Sequence, residues 1–465
     1  MPAIRRVLIA NRGEIALRII RTCHKLGLET VLVVSDADRD ALPARRADRV
    51  VCIGPAPAMH SYLRADTIMQ AALSTGADAI HPGYGFLSER TQLAMLCEEN
   101  NVTFIGPTAA QILAVGDKLR ARQQAVSTEV PVVPGGAVST LEDAEALFEH
   151  LGAPVLIKAV GGGGGRGMKL VQDADSLPGA LKMASAEAGA AFGDARVYME
   201  RYVSRGRHVE VQVLGDGEGR VVHLGERDCS VQRRYQKLVE ETPAPGIDPE
   251  LRARICAAGQ RFAEGLNYRG AGTVEFLLDV ERNSFYFLEM NARIQVEHPV
   301  TEMVTGVDLV AEQIAVAAGE GLRVKPAQAM PHGHAIECRI NAEDPATDFM
   351  PSPGLITHAE WPQMEGVRVD TWVDTGSRVS PYYDSLIGKL IVHAPTRAEA
   401  VVRMRQALEA TKIEGVRTNV AFQAAVLGSP EFGAGGVDTH WLGGFIARGG
   451  AGGAGVGGAQ ENGNG

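Results

Sequence analysis

The stretch Thr273–Pro299, TVEFLLDVERNSFYFLEMNARIQVEHP, constrains this chain more than any other. Val274, Phe276 and Leu278 alternate with Glu275, Leu277 and Asp279, and Ser284–Glu289 supplies a return strand, so the pattern predicts a β-hairpin. A symmetric loop over Glu281, Arg282 and Asn283 sets Glu275 opposite Glu289. Like charges directly opposite each other destabilise a sheet, so the pair predicts a cation between them. Glu289, Asn291, Arg293, Gln295 and Glu297 then share one parity, and an extended segment puts all five on one face. Acids, amides and a guanidinium side by side suit anions and metal ions, not a core. A plain solvated strand face is the alternative; the apolar residues of the other parity and the stop at Pro299 argue against it.

At 465 residues the chain exceeds one ordinary core, and two to four units are expected. The formal charge of −10 argues against general nucleic-acid or membrane-surface binding. Six scattered cysteines without a Cys-x-x-Cys pair fit a reduced, cytoplasmic protein better than a disulfide framework. The start, MPAIRRVLIANRGEIA, lacks the apolar stretch of a signal peptide, and no apolar run is long enough to predict a membrane span.

Residues 4–10 read as a strand, 14–26 as a helix, 29–34 as a strand, 62–75 as a helix, 78–81 as a strand, 88–100 as a helix and 103–105 as a strand. That alternation predicts a parallel, Rossmann-like sheet over residues 1–115, with ligands beyond the carboxyl ends of its strands. A second unit, 116–203, holds a linker at 130–136, a helix at 141–151 and a strand at 155–159. The run Gly161–Gly167 and another strand, 168–171, follow. Strand, glycines, strand is not a Walker loop, which gives Gly-Lys-Ser/Thr and a helix. It predicts a mobile lid whose backbone N–H groups close over phosphates. A third unit, 204–447, contains strands at 208–214 and 335–341, the opening hairpin and a helix near 397–410. Residues 448–465 are of low complexity and are expected to be disordered.

Lys118 before the lid and Lys158 at a strand end beside the glycines could hold nucleotide phosphates. Glu200 follows Val197-Tyr198-Met199 where a strand enters a hinge, and could take an adenine amine. Glu275 and Glu289 suit Mg²⁺, which prefers oxygen ligands and is shared with phosphate.

The order Lys118, Lys158, glycine loop, Glu200, Glu275, Glu289 resembles the ATP-grasp superfamily. The strings ANRGEIALRI, HPGYGFLSE, KAVGGGGGRGM, ERDCSVQRRYQK, EMNARIQVEHPVTE, ECRINAEDP and PYYDS are similar to those of biotin carboxylase, over residues 4–447. The resemblance implies an α/β and α+β enzyme with the Rossmann-like unit, the lid and an antiparallel-sheet unit. It implies ATP-dependent carboxylation of biotin by bicarbonate with Mg²⁺, Mn²⁺ being possible. Lys118, Lys158, Glu200, His208, Gln232, Tyr235 and Leu277, with Gly163, Gly164 and Gly165 of the lid, are then the nucleotide contacts. Glu275, Glu289 and Asn291 form the metal site. Lys237, Arg293, Gln295, Val296 and Glu297 surround bicarbonate, with Glu297 as its base. Arg339 stabilises the biotin enolate and Tyr84 lines the biotin pocket.

Physical chemistry agrees with that assignment. Bicarbonate is a weak nucleophile until a neighbouring carboxylate takes its proton. A transferring phosphoryl group needs cations, and the labile carboxyphosphate needs water excluded. The family also implies a biotin carboxyl carrier protein and carboxyltransferase subunits as partners, since no Met-Lys-Met carrier motif occurs here, and a homodimer in which Arg18 and Arg21 match interface positions. This would be the first half-reaction of acetyl-CoA or another acyl-CoA carboxylase, in malonyl-CoA and fatty acid synthesis, and the carboxyltransferase chooses the acceptor. The chain departs from the family at Tyr235, usually histidine, at Ala292 and at Arg90, and its hairpin loop after Leu278 is slightly longer. Two other readings are a different ATP-grasp carboxylate–amine ligase, which would leave RIQVEHP and ECRINAEDP without a purpose, and a catalytically silent nucleotide-binding subunit, favoured only by Tyr235. Cys229 reads as a small buried residue beside the site, not a nucleophile.

Overall fold

A computed structural model describes residues 4–161, 168–325 and 330–450. Three sheets organise them. The first is wholly parallel and contains β1 (Arg6–Ile9), β2 (Glu29–Val34), β3 (Arg49–Cys52), β4 (Ala79–His81) and β5 (Thr103–Phe104), in the order β3-β2-β1-β4-β5. Its inner strands β1, β2 and β4 are short, apolar and buried between crossover helices, whereas the edge strand β3 is largely exposed. The sequence pattern predicts all but β3. The order reverses between β1 and β4, so the loops that follow them meet at the carboxyl edge, the usual ligand crevice. Asn11 locks that junction by donating to the carbonyls of Pro82 at 2.8 Å and Tyr84 at 2.7 Å. Gly83 is required there: its φ is +62°, and a Cβ would stand 2.8 Å from the Asn11 amide nitrogen.

A four-stranded antiparallel sheet follows: β6 (Gly135–Val138), β7 (Val155–Ala159), β8 (Lys169–Val171) and β9 (Val197–Arg201), in the order β6-β9-β7-β8. The glycines Gly163, Gly164 and Gly165, expected between β7 and β8, lie outside the described residues, as do residues 451–465 of the tail. Arg448, at the tail's start, pairs with Glu431 at 3.3 Å.

The third sheet is antiparallel and eight-stranded. It contains β10 (Gly206–Asp216), β11 (Val221–Arg233), β12 (Gln236–Thr242), β13 (Arg269–Asp279), β14 (Ser284–Asn291), β15 (His334–Asn341), β16 (Val367–Thr371) and β17 (Leu386–Ala394), in the order β14-β13-β10-β11-β12-β15-β17-β16. Val209, Val211, Val213, Val274 and Phe276 join Ile255 and Phe262 of the helix Pro249–Glu264 in one core. The intervening residues of β10 and β13 are polar yet buried: Glu210, Gln212, Thr273 and Glu275. One face of this sheet is therefore a core and the other a sequestered polar floor.

The opening hairpin forms, with one change of register. Glu275 faces Glu289 as expected, but Asp279 pairs with Ser284 across a four-residue loop, and a β-bulge lies between the Glu275 and Phe276 pairs. The bulge inserts Leu288 as the unpaired residue. Phe285 and Phe287 point into the core before it, and Met290 does so after it. Without that extra residue Glu289 would share the side of Phe287; the bulge turns its carboxylate onto the polar floor beside Glu275. The expected extended run also ends early. β14 stops at Asn291, residues 292–297 are irregular, and the helix His298–Thr305 begins at once.

Candidate active site

A cavity of about 830 Å³ opens over the polar floor, walled by the lid sheet on one side and by the loop after β4 and Tyr383–Leu386 on the other. Most of the sequence-predicted residues meet in it. Tyr84, Lys118, Lys158, Glu200, His208, Gln232, Tyr235, Lys237, Glu275, Glu289, Asn291, Arg293, Gln295, Val296 and Arg339 all line it. Leu277 does not. Its side chain lies against Gly206 of β10, where a Cβ would come within 2.5 Å of Leu277 Cδ1. The wall is completed instead by Leu288, which the bulge exposes, and by Phe287, Tyr198 and Arg122.

Strand register explains the electrostatics. Glu289, Glu275, Glu210 and Arg227 stand directly opposite one another across β14, β13, β10 and β11. Three acids in a row require cations, and the protein supplies them. Arg227, wholly buried, donates to Glu210 at 2.6 Å, Gln212 at 2.7 Å, Thr301 at 2.9 Å and Thr273 at 3.1 Å. Lys237 Nζ bonds Glu210 at 2.6 Å, Glu297 at 2.7 Å and Glu275 at 3.0 Å. His208 pairs with Glu275 at 3.1 Å. Burial opposes a charged Lys237, but Glu210, Glu275 and Glu297 outweigh it and raise its pKa well above the usual lysine value. His208 is likewise lifted against its burial, chiefly by Glu275, to about 9. The cation expected between Glu275 and Glu289 is thus partly internal, because the Glu275 charge is already matched from β10 and β12.

Glu289 differs from its neighbours. Its carboxylate makes no hydrogen bond or ion pair among the described residues, and burial, then Glu275, pushes its pKa up. The denser donor groups His208–Glu210–Glu275 and Glu210–Cys229–Glu297 are filled by Lys237 and Arg227. A hard divalent cation bound through Glu289 and Glu275 fits this site, since it would satisfy an acid that faces the cavity beside Glu275 with no hydrogen bond or ion pair of its own among the described residues.

Glu297, the expected base, does not itself line the cavity: it is fully buried against Lys237 and Arg339, which do. One carboxylate oxygen accepts from Lys237, and the other accepts from Arg339 Nη2 at 3.0 Å. Burial and Glu210 would raise its pKa, but Lys237, Arg339 and Arg227 hold it below the ordinary value, so it is ionised at neutral pH. Arg339 is fixed in turn by Glu240 at 2.6 Å. Burial lifts Glu240 to about 7, with Arg339 opposing. Arg293 donates to Asn291 at 2.8 Å, Gln295 at 2.8 Å and Glu89 at 2.9 Å, while Asn291 and Gln295 both donate to Glu275. Lys158 and Glu200 form an ion pair across β7 and β9. Gln232 donates to the Cys229 carbonyl at 2.8 Å, and Tyr84 donates to buried Glu14. The Cys229 thiol is buried and its pKa is pushed well up, which makes it inert, as expected. Arg18 pairs within this chain with Glu302 and Asp308, and Arg21 is half exposed.

Glu210, Glu240, Arg227 and Glu89 escaped the sequence reading. An acid in the apolar strand HVEVQVL was a signal for Glu210. Nothing local marked Arg227, whose partners come from three other elements.

Comparison with known proteins converges on one family. Residues 3–112 match a family model described as biotin carboxylase, N-terminal domain, and residues 337–444 match biotin carboxylase C-terminal domain. Residues 117–325 match carbamoyl-phosphate synthase L chain, ATP binding domain. A biotin carboxylase of Nostoc sp. is 52% identical over 439 residues, spanning 94% of this chain and 98% of the relative. Biotin carboxylase 1 of Bacillus subtilis is 50% identical over 441 residues, with the same coverage. A solved biotin carboxylase–β-γ-ATP complex from Campylobacter jejuni is 45% identical with a TM-score of 0.91, covering 95% of this chain and 98% of that one. The biotin carboxylase domain dimer of Hydrogenobacter thermophilus 2-oxoglutarate carboxylase, in complex with MgADP, ADP and bicarbonate, is 45% identical with a TM-score of 0.90, covering 96% and 98%.

Proposed function

The chain belongs to the biotin carboxylase family, and from that premise we propose how its residues divide the work of carboxylating biotin with ATP and bicarbonate. It is an ATP-dependent ligase. One arrangement carries the assignment: an ionised, buried Glu297 held by Lys237 and Arg339, which line a cavity that also presents Lys118, Lys158 and Glu289.

Lys118, Lys158, Glu200, His208, Gln232 and Tyr235 hold the nucleotide. Burial lowers the Lys118 pKa, and Glu289 opposes that shift. Glu275 and Glu289, with Asn291 beside them, would hold Mg²⁺, which supplies charge neutralisation for the phosphates. Arg293, Gln295 and the backbone at Val296 seat bicarbonate. Glu297 accepts the bicarbonate proton, and the freed oxygen attacks the γ-phosphorus as the bond to ADP breaks. Lys237 compensates the charge that gathers on the shared oxygens. The resulting carboxyphosphate breaks down to CO₂ and phosphate. Phosphate takes the proton from the biotin nitrogen, which then bonds to CO₂. Arg339 meets the transient enolate oxygen with a fixed fork, and Tyr84, oriented by Glu14, walls the biotin side.

Biotin would arrive on a carrier protein and leave for a carboxyltransferase. We propose a homodimer, as in the dimeric relative, and a cytoplasmic location; among the described residues no helix is long and apolar enough to cross a membrane. The test is ATP hydrolysis with Mg²⁺ and free biotin, with and without bicarbonate, for the wild type and Glu297→Gln. Bicarbonate-dependent turnover that rises with biotin and collapses in the variant supports the proposal. Hydrolysis indifferent to both substrates would replace it with another ligase activity.

A further inference from the structure

β11 and β12 are joined by only two residues, Arg234 and Tyr235, with φ of +49° and +65°. A two-residue turn of this hand asks for Asn-Gly or a similar pair, because L side chains resist positive φ. Here it carries two of the bulkiest residues. Such strain persists only where the surroundings over-determine it. The constraint comes from a second unusual turn. Asp348 and Phe349, at φ +55° and +58°, lie between the short strands Glu343–Asp344 and Met350–Pro351.

The two turns interlock. Arg233 donates to the Asp348 carbonyl at 2.8 Å and to its carboxylate, across 115 residues of sequence. Its guanidinium also lies 4.3 Å from the centre of the Phe349 ring. Arg234 takes the other carboxylate oxygen of Asp348 at 2.7 Å. Phe349 is anchored in turn, buried and edge-on to Phe422 at 4.9 Å. Tyr235 is different: the residue is 60% exposed, makes no ring contact or hydrogen bond among the described residues, and lines the cavity. The backbone of the turn alone therefore aims it.

We propose that Asp348 is a positioning residue for the nucleotide: by clasping Arg233 and Arg234 it holds the strained Arg-Tyr turn and so keeps Tyr235 over the nucleotide end of the cavity. This rests on the nucleotide assignment made above. An exposed ion pair adds little to stability, so the clasp acts on geometry and its loss shows in binding, not in unfolding.

The test is a cycle of Asp348→Asn, Tyr235→Gly and the double variant. Asparagine tolerates positive φ and keeps the shape while removing the charge; glycine relieves the turn. Asp348→Asn is expected to raise KM for ATP about three- to tenfold, with kcat and KM for bicarbonate within about twofold and an unchanged melting midpoint. Tyr235→Gly raises KM for ATP at least as much without lowering the midpoint. The double variant matches Tyr235→Gly, because Asp348 acts through the ring. Equilibrium ADP binding repeats the comparison without turnover, so failure of the carboxylase reading is separable from failure of the clasp. An Asp348→Asn protein with wild-type KM for ATP and wild-type ADP affinity, or additive effects in the double variant, would overturn the proposal.

Discussion

Arg227→Met tests whether the sheet's polar floor is held up by its internal cations. Arg227 is wholly buried and makes four side-chain hydrogen bonds, to Glu210, Gln212, Thr301 and Thr273. Methionine fills similar volume but leaves Glu210 with one fewer cation, in a row that already places Glu275 opposite it. Breaking a buried pair from one side costs about 3–5 kcal/mol, whereas replacing both partners by apolar groups is often neutral. For a cooperative unit of about 150–250 residues, that loss lowers the melting midpoint by about 6–20 °C. The assay is thermal and urea unfolding of the wild type, Arg227→Met, Glu210→Gln and the double variant. A coupling of at least about 1 kcal/mol between the two positions is expected for groups in direct contact. A single-variant loss below about 1 kcal/mol, with no coupling, would refute the reasoning: Lys237 alone would then suffice to neutralise Glu210.

Burial lowers the His81 pKa to about 3 in the folded protein, below the ordinary histidine value of 6.5. Its contribution to stability is therefore complete above about pH 6.5 and is lost as pH falls toward 3. Between pH 7 and 5 this group alone removes about 2 kcal/mol, and His81→Asn should flatten the acid limb of a stability–pH curve by that amount; an unchanged slope would count against it. Gly215→Ala places a Cβ 1.9 Å from the Tyr268 carbonyl oxygen, so the β10–β13 edge must shift. A loss of about 3 kcal/mol or more is expected in unfolding measurements, and a variant within about 0.5 kcal/mol would contradict the packing. Glu289→Gln should raise the Mg²⁺ concentration for half-maximal ATP turnover about tenfold or more, read by metal titration; unaltered metal dependence would remove Glu289 from the metal site.

The sequence by itself determined the local and near-local features. Alternation in Val274–Leu278 gave the hairpin, strand–helix spacing gave the parallel sheet, and facing carboxylates announced an ionic site. These follow from periodicity and pairing, which act over a few residues. Order along the chain also marked Lys118, Lys158, Glu200, Glu275 and Glu289 as a set, but not the bonds between them. Tertiary structure decided three further things. The bulge at Leu288 puts Glu289 on the polar floor, and no count of residues in a symmetric loop reveals it, because the core's demand for both Phe287 and Met290 sets it. That shift leaves Leu288, not Leu277, at the cavity wall. The charges are balanced from other strands: Glu210 and Arg227 meet only because β10 pairs with β11, and Glu240 reaches Arg339 only across β12 and β15. In a low-dielectric interior, whether an acid stays ionised depends on which cations the fold brings within a few ångströms. Residue order names the charges; only the packed sheet sets the distances between them.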